Sequence, residues 1–145
     1  MRQLIIVTLF CAVLSFCHAD DSSVWGTSIP DAVSNANVSN RLVLLLFTGS
    51  DWCPYCVKLR KEVLDSETFA AYAKENLILV ELDFPKKKSL PDELKRANVD
   101  AKKTYEVRGF PSLVILAPDG NPVGRMVGFR GTPDDFIRKV DKYKP

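Results

Sequence analysis

Apolar and polar residues follow one another along this chain in blocks that predict individual strands and helices. The longest apolar block, Leu42 to Phe47, is typical of a strand buried on both faces. Gly49 and Ser50 interrupt it, which indicates a tight turn. An amphipathic helix is predicted next, with apolar positions at Val57, Leu59, Val63 and Leu64.

The same pattern predicts further elements on both sides of this block. Before it, a short first helix is expected at Ile29–Val33, followed by a polar connection from Asn35 to Asn40. After it, the predicted elements are a helix reaching Ala73, a strand Leu77–Phe84, a helix Leu90–Tyr105, strands Ser112–Ala117 and Val123–Phe129, and a last helix capped by Thr132. This order predicts an α/β fold in which a central mixed sheet carries helices on both faces.

The N-terminal segment has a different character. A positive charge is followed by a short apolar run, Leu4 to Phe16, and by a small residue at Ala19. This pattern predicts a secretory signal peptide over residues 1–19, cleaved after Ala19, ahead of one domain at 20–145. Acylation of Cys17 as a lipoprotein is disfavoured by the bulky residue before it, and a retained membrane anchor is disfavoured by the shortness of the run.

Composition narrows the function classes. The chain has 145 residues and 46% apolar content, which suits a single domain with one core. The formal net charge of +2 is too small to argue for binding to nucleic acid or to an anionic membrane surface.

Removal of the signal peptide would leave few residues that can bind a metal. Cys11, Cys17 and the single histidine, His18, would be lost, and only Cys53 and Cys56 would remain. Two ligands are too few for a tetrahedral zinc site. A disulfide closing so short a loop would stabilise the fold little. A redox function of the pair is therefore favoured over both structural interpretations.

The position of the two cysteines supports that function. Cys53 falls at the predicted start of the amphipathic helix, and Cys56 lies one turn further on. The free N–H groups and positive dipole at a helix start stabilise an anion, so the Cys53 thiol is expected to ionise readily. Pro54 falls in the first turn, where its missing N–H is not needed.

Two motifs together resemble the thioredoxin superfamily. These are Trp52-Cys53-x-x-Cys56 after a buried strand and Phe110-Pro111 before a later apolar strand. The run from Phe47 to Cys53 resembles, more narrowly, exported bacterial single-domain thiol–disulfide oxidoreductases of the DsbH-like and DsbD C-terminal types. The resemblance implies the thioredoxin fold.

The resemblance also implies roles for individual residues. Cys53 would be the nucleophile and Cys56 the resolving thiol, with no metal and no organic cofactor. Pro111 would follow a cis peptide bond, although a core Phe110 and a strand-start proline would give the same residues. Gly128 matches a glycine near the redox pair, although a strand bulge would also explain it. The implied substrate-binding residues are Trp52, Pro54, Tyr55, Phe110 and Pro111.

Two features depart from the superfamily pattern. Thioredoxins carry a buried acid six residues before the first cysteine, and here that position is Phe47. Asp51 and Glu81 are candidates to move the proton instead, although both are expected to be exposed, solvated acids. The dipeptide Pro54-Tyr55 is similar to that of glutaredoxins. It contains no histidine, which favours an intermediate to reducing pair.

The resemblance therefore implies a periplasmic, monomeric reductase of protein disulfides that receives its electrons from a DsbD-type membrane partner. A disulfide oxidase or isomerase is the alternative within the same chemistry. A chaperone-like client-binding module and a peroxidase are alternatives of other classes. Retention of both cysteines disfavours the client-binding module. The peroxidase is disfavoured because no Thr and Arg surroundings suited to peroxide are evident near Cys53.

Overall fold

The computed structural model describes residues 25–144, so the predicted signal peptide at 1–19 and its cleavage site lie outside the described residues. Within this range no helix has the length and apolar character needed to cross a membrane. The elements are α1 (Ile29–Ser39), β1 (Leu42–Thr48), α2 (Pro54–Leu59) with a π-helical continuation (Arg60–Leu64), α3 (Glu67–Asn76), β2 (Leu77–Asp83), α4 (Asp92–Thr104), β3 (Ser112–Leu116), β4 (Pro122–Val127) and α5 (Pro133–Asp141).

The four strands of the described chain form one mixed sheet in the order β2-β1-β3-β4. β1 pairs in parallel with β2, while the β1–β3 and β3–β4 pairs are antiparallel. All seven residues of β1 are buried, as expected for a central strand with packing on both faces. The predicted mixed sheet is confirmed.

Alternate residues of β1 enter two hydrophobic cores, one on each face of the sheet. Leu42, Leu44 and Leu46 pack with residues from α2, its π-helical continuation, α3 and α5. Val43, Leu45 and Phe47 pack with residues from α1 and α4. Helices therefore cover both faces, and the predicted architecture is confirmed.

The first helix is longer than predicted. It runs through the asparagine-rich segment that was interpreted as a connection and ends at Ser39. Ala32 and Ala36, one turn apart, are buried against the sheet, and this packing outweighs the weak helix propensity of asparagine and serine. Asn40 then adopts a left-handed conformation, φ 53°, and ends the helix.

The helix after the cysteines departs from the regular α-helix that was predicted. After Leu59 it widens into the π-helical turn, where the Asp65 N–H donates to the Arg60 carbonyl at 2.8 Å. Leu59, Val63 and Leu64 are buried as expected, but Val57 is 49% exposed. The assignment of Val57 to the core face was therefore wrong.

One carboxylate joins the loop after β1 to the loop after β2. Asp51 accepts backbone N–H bonds from Lys86, Lys87 and Lys88 at 2.9, 2.7 and 2.9 Å. These bonds favour the charged carboxylate, and the bond from Lys86 is the largest cause that lowers the pKa of Asp51. The lysine side chains are exposed, as expected of a solvated loop, but the loop backbone is tied to the segment before Cys53.

Phe136 provides a test of the core on the α5 face. Its ring is fully buried and packs edge-on against Phe69 and Phe129, with centroids 5.6 and 5.1 Å apart. Phe136→Ala is expected to lower the free energy of unfolding by about 3–5 kcal/mol because it leaves a cavity. Urea unfolding measures this change. Val38→Ala, at a residue that is 90% exposed, is the control and should change stability by less than about 0.5 kcal/mol.

Asp51 provides a pH-dependent test. Its folded-state pKa is lowered, so its stabilisation is present above the unfolded-state pKa of about 3.9 and is lost as the pH falls through the folded value. Asp51→Asn should lower the melting temperature at neutral pH, and the difference should shrink in strong acid. Asp100→Asn, in an exposed pair with Lys103, is the control. A difference that is independent of pH would contradict this account.

Candidate redox site

The two cysteines lie where β1 has turned into α2. Cys53 is the N-cap of α2, with extended backbone, and Cys56 lies in the first helical turn. They form a disulfide with their Cα atoms 5.2 Å apart. The Cys56 N–H points at the Cys53 sulfur, at 3.2 Å. A sulfur that accepts a backbone N–H at a helix start is placed where a thiolate is stabilised.

The two cysteines differ in surroundings more than in burial. Both are buried, with 4% of Cys53 and 3% of Cys56 exposed. Cys53 lines a shallow cavity of about 500 Å³ together with Trp52 and Pro54, and Cys56 does not line it. An incoming disulfide would therefore approach Cys53 from this side.

Trp52 forms one wall of the site and is held from three directions. Its indole N–H donates to the Phe84 carbonyl at 2.7 Å, and its ring meets Phe110 edge-on at a centroid distance of 5.9 Å. The indole lies directly over Gly49, where an added Cβ would be 2.5 Å from the ring. A glycine is therefore required beneath Trp52, which explains why Gly49 follows Thr48, the last residue of β1.

The second wall is formed around Phe110 and Pro111. The peptide bond that joins them is cis, the conformation that the resemblance implies. Together with Tyr55 they line a cavity of about 530 Å³ that extends to the loop after β4. Gly128 begins that loop with a φ of 63° and donates its N–H to the Pro111 carbonyl at 2.8 Å. No atom lies within 4 Å of an added Cβ at Gly128, so its backbone conformation, not lack of space, calls for glycine.

The structure brings the seven predicted site residues to one end of the sheet. Six of them line the two cavities, three in each, and the seventh, Cys56, is bonded to Cys53. Phe110 is therefore partly exposed at the cavity while it also packs against the core, and Pro111 is buried at the cavity wall. Among residues 25–144, no group of histidine, cysteine or acidic side chains is arranged to hold a metal ion.

Sequence reasoning missed several neighbours of the site. Phe84 stacks on Phe110 with centroids 5.1 Å apart. Lys86, Lys102 and Arg130 each place a cationic group over an aromatic ring of the site or its rim. These residues come from three distant segments, so no local spacing could have identified them. Phe84 alone carried a usable signal, because it is an aromatic residue directly after β2.

The acid that thioredoxins place near the redox pair has no counterpart at Phe47. The Phe47 ring is fully buried and meets the Tyr105 ring edge-on, with centroids 6.2 Å apart. Burial raises the pKa of Tyr105, so its phenol stays protonated at neutral pH. Of the two candidate acids, which were expected to be exposed and solvated, Asp51 lies at the surface as expected, whereas Glu81 is partly buried. Asp51 binds three backbone N–H groups, and Glu81 pairs with Arg60 in a partly buried ion pair.

Comparison with known proteins agrees with this geometry. Disulfide bond reductase DsbH of Chlamydia pneumoniae is 35% identical over 113 residues, which are 78% of this chain and 68% of that protein. Thioredoxin-related protein DsbJ of the same organism is 27% identical over 75% of this chain but only 31% of its own length.

Solved structures show the same similarity. A DsbH oxidoreductase superposes with a TM-score of 0.77 at 33% identity, covering 83% of each chain. The reduced C-terminal domain of Neisseria meningitidis DsbD, at 22% identity, shares the fold with a TM-score of 0.58 over 79% of this chain and 92% of that one. The thioredoxin-like domain family model matches residues 29–144. The chain therefore belongs to the thioredoxin-like domain family.

Proposed function

We propose that this protein is a thiol–disulfide oxidoreductase that reduces protein disulfides through Cys53 and Cys56. The observation that carries the proposal is the Cys53–Cys56 bond at the start of α2, beside Phe110-Pro111 and bordered by two open cavities. The 35% identity to a disulfide bond reductase supports the same chemistry.

The proposed reaction begins from the reduced pair. The Cys53 thiolate attacks one sulfur of the substrate disulfide, a mixed disulfide forms, and the other substrate sulfur leaves as a thiolate that takes up a proton. The Cys56 thiolate then attacks the Cys53 sulfur, which releases the second substrate thiol and forms the Cys53–Cys56 bond. Two electrons pass from the dithiol to the substrate, and no cofactor takes part.

The two cavities suggest how a protein substrate binds. The cavity beside Cys53 receives the reacting disulfide, and the larger one accepts the neighbouring chain between Tyr55 and the loop after β4. Phe110 contributes an apolar surface there, and its main chain is adjacent to an extended substrate segment that could pair with it. Trp52 and Pro54 complete the rim around Cys53.

Location and partners follow from the proposed direction. A cleaved signal peptide at 1–19 would place the protein in the periplasm. Each reduction leaves the Cys53–Cys56 pair oxidised, so a dithiol of a DsbD-type membrane protein must return two electrons before the next cycle. We propose that the protein acts as a monomer, since one chain provides both cysteines and both cavities.

The absence of a charged residue between the cysteines supports the reducing direction. Pro54 and Tyr55 add no positive charge that would favour the thiolate over the disulfide. An oxidase or isomerase would use the same residues with a higher reduction potential. The potential therefore decides the direction.

Substitution of each cysteine tests the assigned roles. Cys53→Ser should lower the rate at which dithiothreitol reduces insulin to the uncatalysed rate, because it removes the nucleophile. Cys56→Ser should also abolish turnover but should accumulate a mixed disulfide between Cys53 and the substrate, since no thiol remains to resolve it. Mass spectrometry of the trapped adduct measures the difference. Turnover retained in Cys53→Ser, or client binding with no turnover in the unmodified protein, would contradict the proposal.

The reduction potential of the pair tests the direction. Equilibration of the protein in glutathione buffers, followed by quantification of the reduced fraction, should give about −250 mV or lower, near the value of thioredoxin. A potential above about −180 mV would contradict the reducing direction and assign the protein to the oxidases or isomerases.

A further inference from the structure

Three aromatic residues around the redox pair each lie beneath a cation. The Lys86 ammonium is 4.0 Å from the centre of the Trp52 ring. The Lys102 ammonium is 5.4 Å from the Phe110 ring, and the Arg130 guanidinium is 5.9 Å from the Tyr55 ring. Such contacts hold a cation against an aromatic face while its outer side remains open to other groups. The cations over the rings of the site are thus Lys86, Lys102 and Arg130, and Lys58 and Lys61 line the cavity beside Cys53 as well.

The three cations come from different parts of the chain. Lys86 belongs to the loop after β2, Lys102 to α4, and Arg130 to the loop after β4. The loop that carries Lys86 is fixed beside the redox loop by the three N–H bonds to Asp51. Because these segments converge only at this end of the sheet, the cations frame the site from several sides.

In the part of the chain that the structure describes, none of these three cations is paired directly with an acid. Among the described residues, none of the three cations takes part in a salt bridge. The carboxylate of Asp51 is bound by backbone N–H groups, that of Asp83 accepts both the N–H and the hydroxyl of Ser50, and that of Glu62 lies 3.9 Å from Lys58. Five cations stand against these three acids, because Lys58 and Lys61 also line the cavity beside Cys53, so the rim presents net positive charge to an incoming chain.

We propose that this site selects protein disulfides whose cysteines are flanked by aspartate or glutamate. The selection rests on the proposed function, since it names the substrate class for the same redox pair. Carboxylates beside the substrate cysteine would meet the cations of the rim while the disulfide reaches Cys53. Complementary charge of this kind raises the rate of productive encounter and depends on ionic strength.

Two matched peptide substrates test the proposal. Each contains one disulfide and a fluorescence reporter, and they differ only in having glutamate or lysine on both sides of the cysteine. At low ionic strength kcat/KM should be about tenfold higher for the glutamate peptide. The ratio should fall toward one when salt at about 0.5 M screens the charges. Equal rates, or a preference for the lysine peptide, would overturn the proposal.

Charge-neutralised variants locate the effect. The triple variant Lys86→Gln/Lys102→Gln/Arg130→Gln should bring the ratio of the two rates close to one. This ratio is measured within one protein, so a change in the reactivity of the cysteines cancels. The matched control Lys95→Gln/Lys142→Gln/Lys144→Gln loses the same charge at residues that line neither cavity and lie over none of the rings of Trp52, Tyr55 and Phe110, and it should keep the ratio. An equal loss of preference in both variants would overturn the assignment to the rim.

An uncharged disulfide separates this inference from the proposed function. If hydroxyethyl disulfide is reduced while the two peptides react at equal rates, charge selection is overturned and the reductase proposal stands. If none of the three disulfides is reduced, the proposed function fails and the charge selection fails with it.

Discussion

The complete burial of β1 is the constraint on which the rest of this structure depends. A strand that is apolar on both faces must be covered on both, and the helices of the chain divide between the two sides accordingly. Hydrogen bonding to β2 and β3 along nearly its whole length fixes the strand in the middle of the sheet. The segment that leaves its end at Thr48 therefore starts from a rigid position, and it carries Cys53.

The redox site is held by a few bonds between loops that are distant in sequence. Asp51 ties the loop before Cys53 to the loop after β2, and the indole of Trp52 bonds to the Phe84 carbonyl. Gly128 bonds to the carbonyl of Pro111 and joins the loop after β4 to the turn before β3. Each bond uses a backbone group of one loop, so the cavities on either side of the cysteines are shaped before a substrate arrives.

Phe47 shows how a thioredoxin-like fold can do without one of its usual polar groups. The position that holds an acid in thioredoxins is here part of the core against Tyr105. Of the two other candidate acids, Asp51 binds the backbone of the loop after β2, and Glu81 pairs with Arg60. The Cys56 N–H directed at the Cys53 sulfur remains as a local source of thiolate stabilisation. Lys86, Lys102 and Arg130 lie over the aromatic rings around the pair.

The sequence by itself determined the strand β1, the helix after it, the two cysteines at its start, and the mixed α/β architecture, because apolar periodicity and turn residues act over short distances. It also identified Phe110-Pro111 through resemblance. It did not reveal that the asparagine-rich segment is helical, that Val57 faces solvent, or that Asp51 binds a lysine loop. Only the tertiary structure decided these, and the placing of cations over the aromatic rim, because each depends on contacts between residues that are far apart along the chain.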